Sequence, residues 1–256
     1  MAWHDAPMLD ALLLCLAIGA FAGFAAGMFG IGGGLVMVPT LAWLLPRFGV
    51  PLADAVHVAV GTSLVTIAFG SLAAVRAHHA RGAVRWDQWR LLAPTLALGG
   101  ASGALFGTQL PGAALATVFA CAALGIALWF ACGAPPLQRV PGDRAAQTVS
   151  AVIGVVAALS GVGGGLLVLP LLVARGVTLH DSVGTSSAIT LPVAITAGAI
   201  YAVTGAVLWP AVAALTVAAW VAAPWGAGLA HRLPAARLRS AFALLAAAGG
   251  ASLLLR

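Results

Sequence analysis

Apolar stretches recur along the chain from residue 9 to its C-terminal end, separated by short polar breaks. They fall near 9–29, 33–46, 52–76, 88–108 and 112–132, then near 146–160, 164–175, 182–204, 209–230 and 235–255. A membrane-spanning helix needs roughly 20 mostly apolar residues, so this pattern predicts a polytopic helical bundle. Segments two and seven are short, and each follows a run of glycines. The longest polar-leaning break, about 133–145, leaves no room for a domain outside the bilayer. The fold class is therefore all-α, with residues 1–256 forming a single transmembrane domain. Composition agrees: 62% of residues are hydrophobic and 7% charged, against about 25% charged in soluble domains.

The chain also repeats itself. Gly30-Ile31-Gly32-Gly33-Gly34-Leu35 with Pro39 returns as Gly161-Val162-Gly163-Gly164-Gly165-Leu166 with Pro170. Gly61-Thr62-Ser63 returns as Gly184-Thr185-Ser186, a shift of 123 residues that then holds without a gap. The same shift carries Gly82-Ala83-Val84 and Trp86 onto Gly205-Ala206-Val207 and Trp209, and Leu110-Pro111 onto Leu233-Pro234. Single matches mean little in a chain this rich in Gly and Ala, but four motifs in one order define two repeats, about 9–132 and 146–255.

Charge orients the repeats. The net charge of +6 comes from twelve arginines and six aspartates, with neither Lys nor Glu. In a soluble protein such an excess would raise nucleic-acid binding; here the arginines lie in breaks between apolar segments, where they set topology. If all ten segments cross, one side carries Arg76, Arg81, Arg85, Arg90, Arg139, Arg144, Arg175, Arg232, Arg237 and Arg239, against Arg47 and Arg256 on the other. If segments two and seven only re-enter, the contrast falls to seven against five. The positive-inside rule thus favours ten crossings with both termini outside. The basic break at 76–90 corresponds to the uncharged turn Thr204–Leu208, and the uncharged turn after Gly107 to the basic break at 231–239. Equivalent loops have exchanged their charge, so the halves are inverted, as in many secondary transporters. The N-terminus carries His4, Asp5 and Asp10 rather than a basic region, which predicts a retained first span instead of a cleaved signal.

The glycine runs are the first candidates for chemistry. Glycine tolerates torsions that other residues resist and leaves its amide N–H open to approach. Each run ends one segment and opens a short one, so Gly32, Gly33, Gly34, Gly163, Gly164 and Gly165 should lie recessed in the bilayer. Irregular backbone at that depth is tolerated only inside protein or against a water-filled cavity, and a helix N-terminus opening there suits an anion. Close helix packing is the plainer explanation for one such run; two copies in inverted halves favour a site. Thr62, Ser63, Thr185 and Ser186 bring hydroxyls to a similar depth, where they either donate to an oxyanion or bond back to their own helices. His57 and His180 are equivalent, and Asp181 adjoins the latter, making them candidates for proton coupling or ordinary interfacial residues. His78, His79 and His231 belong to the basic breaks and are expected to be solvated.

Other functions fit poorly. Gly100-Ala101-Ser102-Gly103 spells the G-x-S-G of an intramembrane serine protease, but no His lies well inside a later span to serve Ser102 as base. The chain has no H-E-x-x-H, P-loop or paired-carboxylate site, so neither catalytic residues nor metal or cofactor is expected. Cys15, Cys121 and Cys132 lie in apolar stretches without C-x-x-C spacing and read as packing residues. A channel using similar backbone sites stays open as an alternative, as does a homo-oligomer.

The ordered pattern G-x-G-G-G-x-x-x-x-P then G-T-S, present in each half, resembles the TauE/SafE sulfite and organosulfonate exporters. The resemblance covers nearly the whole chain. It implies a plasma (inner) membrane permease whose partners are the lipid bilayer and a small anion: sulfite, a sulfonate or a related sulfur-containing or organic acid. It also implies that the six glycines and four hydroxyl residues of the two motifs line the substrate path. Family members are usually drawn with about eight spans, and segments two and seven are where that count and ten crossings part.

Overall fold

The computed structural model describes residues 8–132 and 142–254. Ten α-helices occupy the ten apolar segments, and no strand occurs among the described residues. They are α1 (Met8–Phe29), α2 (Gly34–Leu44), α3 (Ala55–His79), α4 (Trp86–Gly107), α5 (Gly112–Ala131), α6 (Asp143–Ser160), α7 (Gly165–Ala174), α8 (Leu179–Val203), α9 (Trp209–Arg232) and α10 (Ala235–Leu254). Among them α1, α3, α5, α8 and α9 are long and apolar enough to cross a membrane. Helices α4, α6 and α10 begin among charged residues (Asp87 and Arg90, Asp143 and Arg144, Arg237 and Arg239), which shortens their apolar lengths. Cys15 is buried in α1, whereas Cys121 and Cys132 are exposed on the outside of the bundle.

Small residues set the helix order. Gly19, Gly23 and Gly27 of α1 lie in turn against Leu215, Ala219 and Ala223 of α9, so the two helices run parallel with their backbones nearly touching. Gly99 and Gly103 of α4 pair in the same sense with Ala151 and Val155 of α6. The repeat carries one contact onto the other: Gly226 against Phe24 is the counterpart of Gly103 against Val155.

The arginines gather on one face. His78 at the end of α3 meets His231 at the end of α9, and Arg175 after α7 reaches Asp143 of α6 at 2.9 Å and Gln88 of α4 at 2.7 Å. Arg139 and Arg256 lie outside the described residues. On the opposite, arginine-poor face the starts of α3, α5 and α9 meet: His57 contacts Leu110, and Gly61 lies against Ala206. The break 76–90 and its counterpart 204–208 therefore sit on opposite faces, as the exchanged charges require.

Since α1 runs with α9, it enters from the arginine-poor face. Gly30–Gly33 reverses the chain and α2 returns toward the face of entry; α6 and α7 form the inverted counterpart from the arginine-rich face. Neither reversal reaches the far side. The Gly30 carbonyl accepts from Ser186, about two turns inside α8, and the Gly161 carbonyl from Ser63, equally deep in α3. Ten segments thus alternate in direction, while the second and seventh start inside the bundle.

Candidate functional site

Every glycine of the two runs has a definite task. Gly30, Gly32 and Gly33 have φ of 72°, 71° and 87°, and Gly161, Gly163 and Gly164 have 73°, 76° and 90°. This is the left-handed region that a Cβ disfavours. The fourth glycine of each run serves closeness instead: Gly34 lies against the Gly161 carbonyl and Gly165 against the Gly30 carbonyl. The two turns therefore pass side by side, backbone to backbone, at the centre of the molecule. Gly32 and Gly163 both touch Ile67 and Thr190, which occupy equivalent positions halfway along α3 and α8.

Of the four hydroxyls predicted to face the substrate, two hold the glycine turns and two hold helix starts. Ser63 Oγ donates to Gly161 O at 2.9 Å, and Ser186 Oγ donates to Gly30 O at 3.0 Å. Each serine thus holds the glycine turn of the opposite repeat. Thr62 Oγ1 accepts from the Leu208 N–H at 3.0 Å, and Thr185 Oγ1 from the Arg85 N–H at 2.9 Å. Each threonine thereby ties down the residue just ahead of a long helix. Thr66, Ser187 and Thr190 donate to carbonyls of their own helices, the ordinary habit of hydroxyls in membrane helices.

What stays unpaired is backbone. Among the described residues, the N–H groups of Gly32, Gly33, Gly34, Gly163, Gly164 and Gly165 have no hydrogen-bond acceptor, although all six residues are buried. Buried amides are nearly always paired, so six without partners on two adjoining turns are unusual. Helices α2 and α7 begin here with no side-chain cap, and neither contains a charged residue. Their N-termini add partial positive charge.

The remaining candidates lie elsewhere. His57 Nε2 is 2.9 Å from Leu110 O and His180 Nε2 is 3.2 Å from Leu233 O, equivalent contacts near opposite faces. Each ring fastens a helix start to the corner before Pro111 or Pro234. Ser102 Oγ donates to Gly99 O at 2.9 Å on its own helix. His78 departs from expectation: it is fully buried, with Nε2 2.9 Å from Gly27 O and Nδ1 3.2 Å from His231 Nε2. Close approach of α1 at Gly27 covers it, a contact that local sequence does not reveal.

The fold and paired turns can be set beside known proteins. A family model described as "Sulfite exporter TauE/SafE" matches residues 15–253. The chain belongs to the TauE/SafE family. A "Probable membrane transporter protein" of Haemophilus influenzae is 33% identical, covering 93% of this chain and 96% of the relative. One of the same name from Xylella fastidiosa is 26% identical over 70% of this chain and 69% of its own. A third, from Methanocaldococcus jannaschii, is 27% identical over 63% and 61%. No solved structure matches. This TauE/SafE member is thus a multi-pass helical membrane protein and a membrane transporter, built around two interlocked glycine turns.

Proposed function

We propose that the protein is a secondary transporter that exports small oxyanions of the sulfite and sulfonate type across the plasma membrane. The observation that carries this reading is the set of six buried, acceptor-free glycine N–H groups contributed by two inverted turns. Backbone donors and helix N-termini hold an oxyanion without a cationic side chain, so binding stays weak enough for release. The inverted halves supply what alternating exposure needs, two similar routes to one central site. Burial of the turns between Ile67 and Thr190 favours a carrier over an open channel. The arginine-rich face is assigned to the cytoplasm by the positive-inside rule.

Counterflow in proteoliposomes with radiolabelled sulfite, sulfonates and small carboxylates tests the reading. Sulfite or a sulfonate should exchange in the wild type, and Gly34→Ala, which sets a methyl group against the Gly161 carbonyl, should abolish exchange. Folded wild-type protein that exchanges none of these anions would refute it.

A further inference from the structure

A cavity of about 480 Å³ opens toward the arginine-poor face, lined in part by Asp54, His57, Thr108, Tyr201 and Thr204. Two of its lining residues hold buried polar atoms that nothing in the protein satisfies: Nδ1 of His57 and the hydroxyl of Tyr201. Only one other side-chain atom among the described residues shares that condition, so the concentration here is not background.

Tyr201 is the single tyrosine of the chain and is fully buried. Its Cβ packs on Gly61 of α3, and its hydroxyl sits where a Cβ on Gly107 would be, next to Thr108 of the cavity wall. Leaving a buried hydroxyl unpaired is costly, and phenylalanine would avoid that cost at nearly equal volume. The hydroxyl has no partner within the protein.

The wall has a definite polarity. A carbonyl only accepts, so the Nε2 that meets Leu110 O carries the hydrogen, and in that tautomer Nδ1 is a bare acceptor. Thr108 and Thr204 already donate to Leu105 O and Tyr201 O, leaving only lone pairs to offer. Tyr201 is the free donor, His57 the free acceptor, and the carboxylate of Asp54 stands exposed at the rim. A dianion meets too much negative charge and too few donors here. A monoanion that brings its own O–H complements both orphans: an oxyanion oxygen can accept from Tyr201, and a ligand hydroxyl can donate to His57 Nδ1.

The inverted repeat supplies a control within the same molecule. A shift of 123 residues relates His57, Thr108 and Tyr201 to His180, His231 and His78. On the arginine-rich face those three close on one another: His78 Nδ1 meets His231 Nε2 at 3.2 Å, and His231 stacks on His180 with centroids 6.1 Å apart. Three positions that contact one another on one face thus leave two of their counterparts, His57 and Tyr201, with unsatisfied atoms on the other.

We infer that this cavity is a second anion site, a station between water and the glycine turns, selective for small monoanions that carry an O–H group. Its place on a transport path rests on the function proposed above; its capacity to bind does not. Growth on 3-fluorotyrosine labels Tyr201 alone, giving one ¹⁹F resonance in the purified full-length protein. Titration with hydroxymethanesulfonate should move that resonance saturably. Methanesulfonate, a monoanion without the O–H, should bind about tenfold more weakly, and sulfate should have no effect. By calorimetry, Tyr201→Phe should weaken hydroxymethanesulfonate about tenfold, and His57→Gln should erase its advantage over methanesulfonate. Gly34→Ala should retain the ¹⁹F titration even where counterflow is lost, separating this site from the central one. The proposal falls if no anion moves the resonance, if the two sulfonates bind alike in the wild type, or if folded Gly34→Ala loses the titration. It falls equally if Tyr201→Phe gains thermal stability with unchanged affinity, for then the hydroxyl is an unpaired packing atom.

Discussion

At the scale of single residues, the G-x-G-G-G motif divides its labour between torsion and contact. Gly33 and Gly164 have φ of 87° and 90°, and a Cβ on Gly33 would lie 2.9 Å from Ala22 O. An L-residue in that conformation costs roughly 1–2 kcal/mol, with more for a β-branched side chain. Gly33→Val and Gly164→Val should each abolish counterflow, because each distorts one half of a shared site. Gly125→Val is the matched control: Gly125 is exposed on α5 with open space around its Cα, and transport should persist. Size-exclusion profiles and thermal melts establish that the variants are folded. Normal transport by folded Gly33→Val or Gly164→Val would remove the backbone site; failure of both to reach the membrane shifts the test to Gly33→Ala and Gly164→Ala. The glycine torsions were legible in the motif itself. The partners of Ser63 and Ser186 were not, because each is held by a turn 98 or 156 residues away.

Among the elements, the helix corners explain the paired histidines. Helix α9 ends at Arg232, and its last carbonyls lack intrahelical donors; Pro234 brings no N–H to the corner. His180 Nε2 supplies a donor to Leu233 O, binding the start of α8 to that corner, as His57 does for Leu110. His180→Ala should therefore lower stability by about 1 kcal/mol, and His180→Gln, whose amide can reach the same carbonyl, should restore part of it. The pH profile of transport between about 5 and 8, the range of histidine titration, should stay unchanged in His180→Gln. A flattened profile would instead assign His180 to proton coupling, one of the two roles that sequence left open for it with His57 and Asp181. The equivalence of the histidines could be read from the 123-residue shift, but their acceptors depend on how α3 and α8 pack on the next corner.

For the molecule as a whole, charge and geometry give one arrangement. The breaks after α3 and α9 meet through His78 and His231, and the corner after α4 lies on the opposite face. In a background without Cys15, Cys121 and Cys132, cysteines at the exposed Ala80 and Ala236 should resist an impermeant thiol reagent in intact cells and react after permeabilisation. A cysteine at the exposed Gln109 should react in intact cells. Divergent labelling of Ala80→Cys and Ala236→Cys would overturn the inverted arrangement, and protection of Gln109→Cys would reverse the orientation.

Sequence by itself determined the helical class and the ten segments, and pointed to a duplication with inverted halves. These follow from local apolarity, glycine spacing and the uneven placement of arginine, properties that act along the chain without reference to distant partners. Tertiary structure alone decided that the short segments start inside the bundle, that Ser63 and Ser186 hold the glycine turns while Thr62 and Thr185 hold helix starts, and that His78 is buried while Tyr201 is left without a partner. The physical reason is that a hydroxyl, an imidazole or an amide takes its role from whichever group packing brings within about 3 Å, and here those groups come from the other repeat or a distant helix.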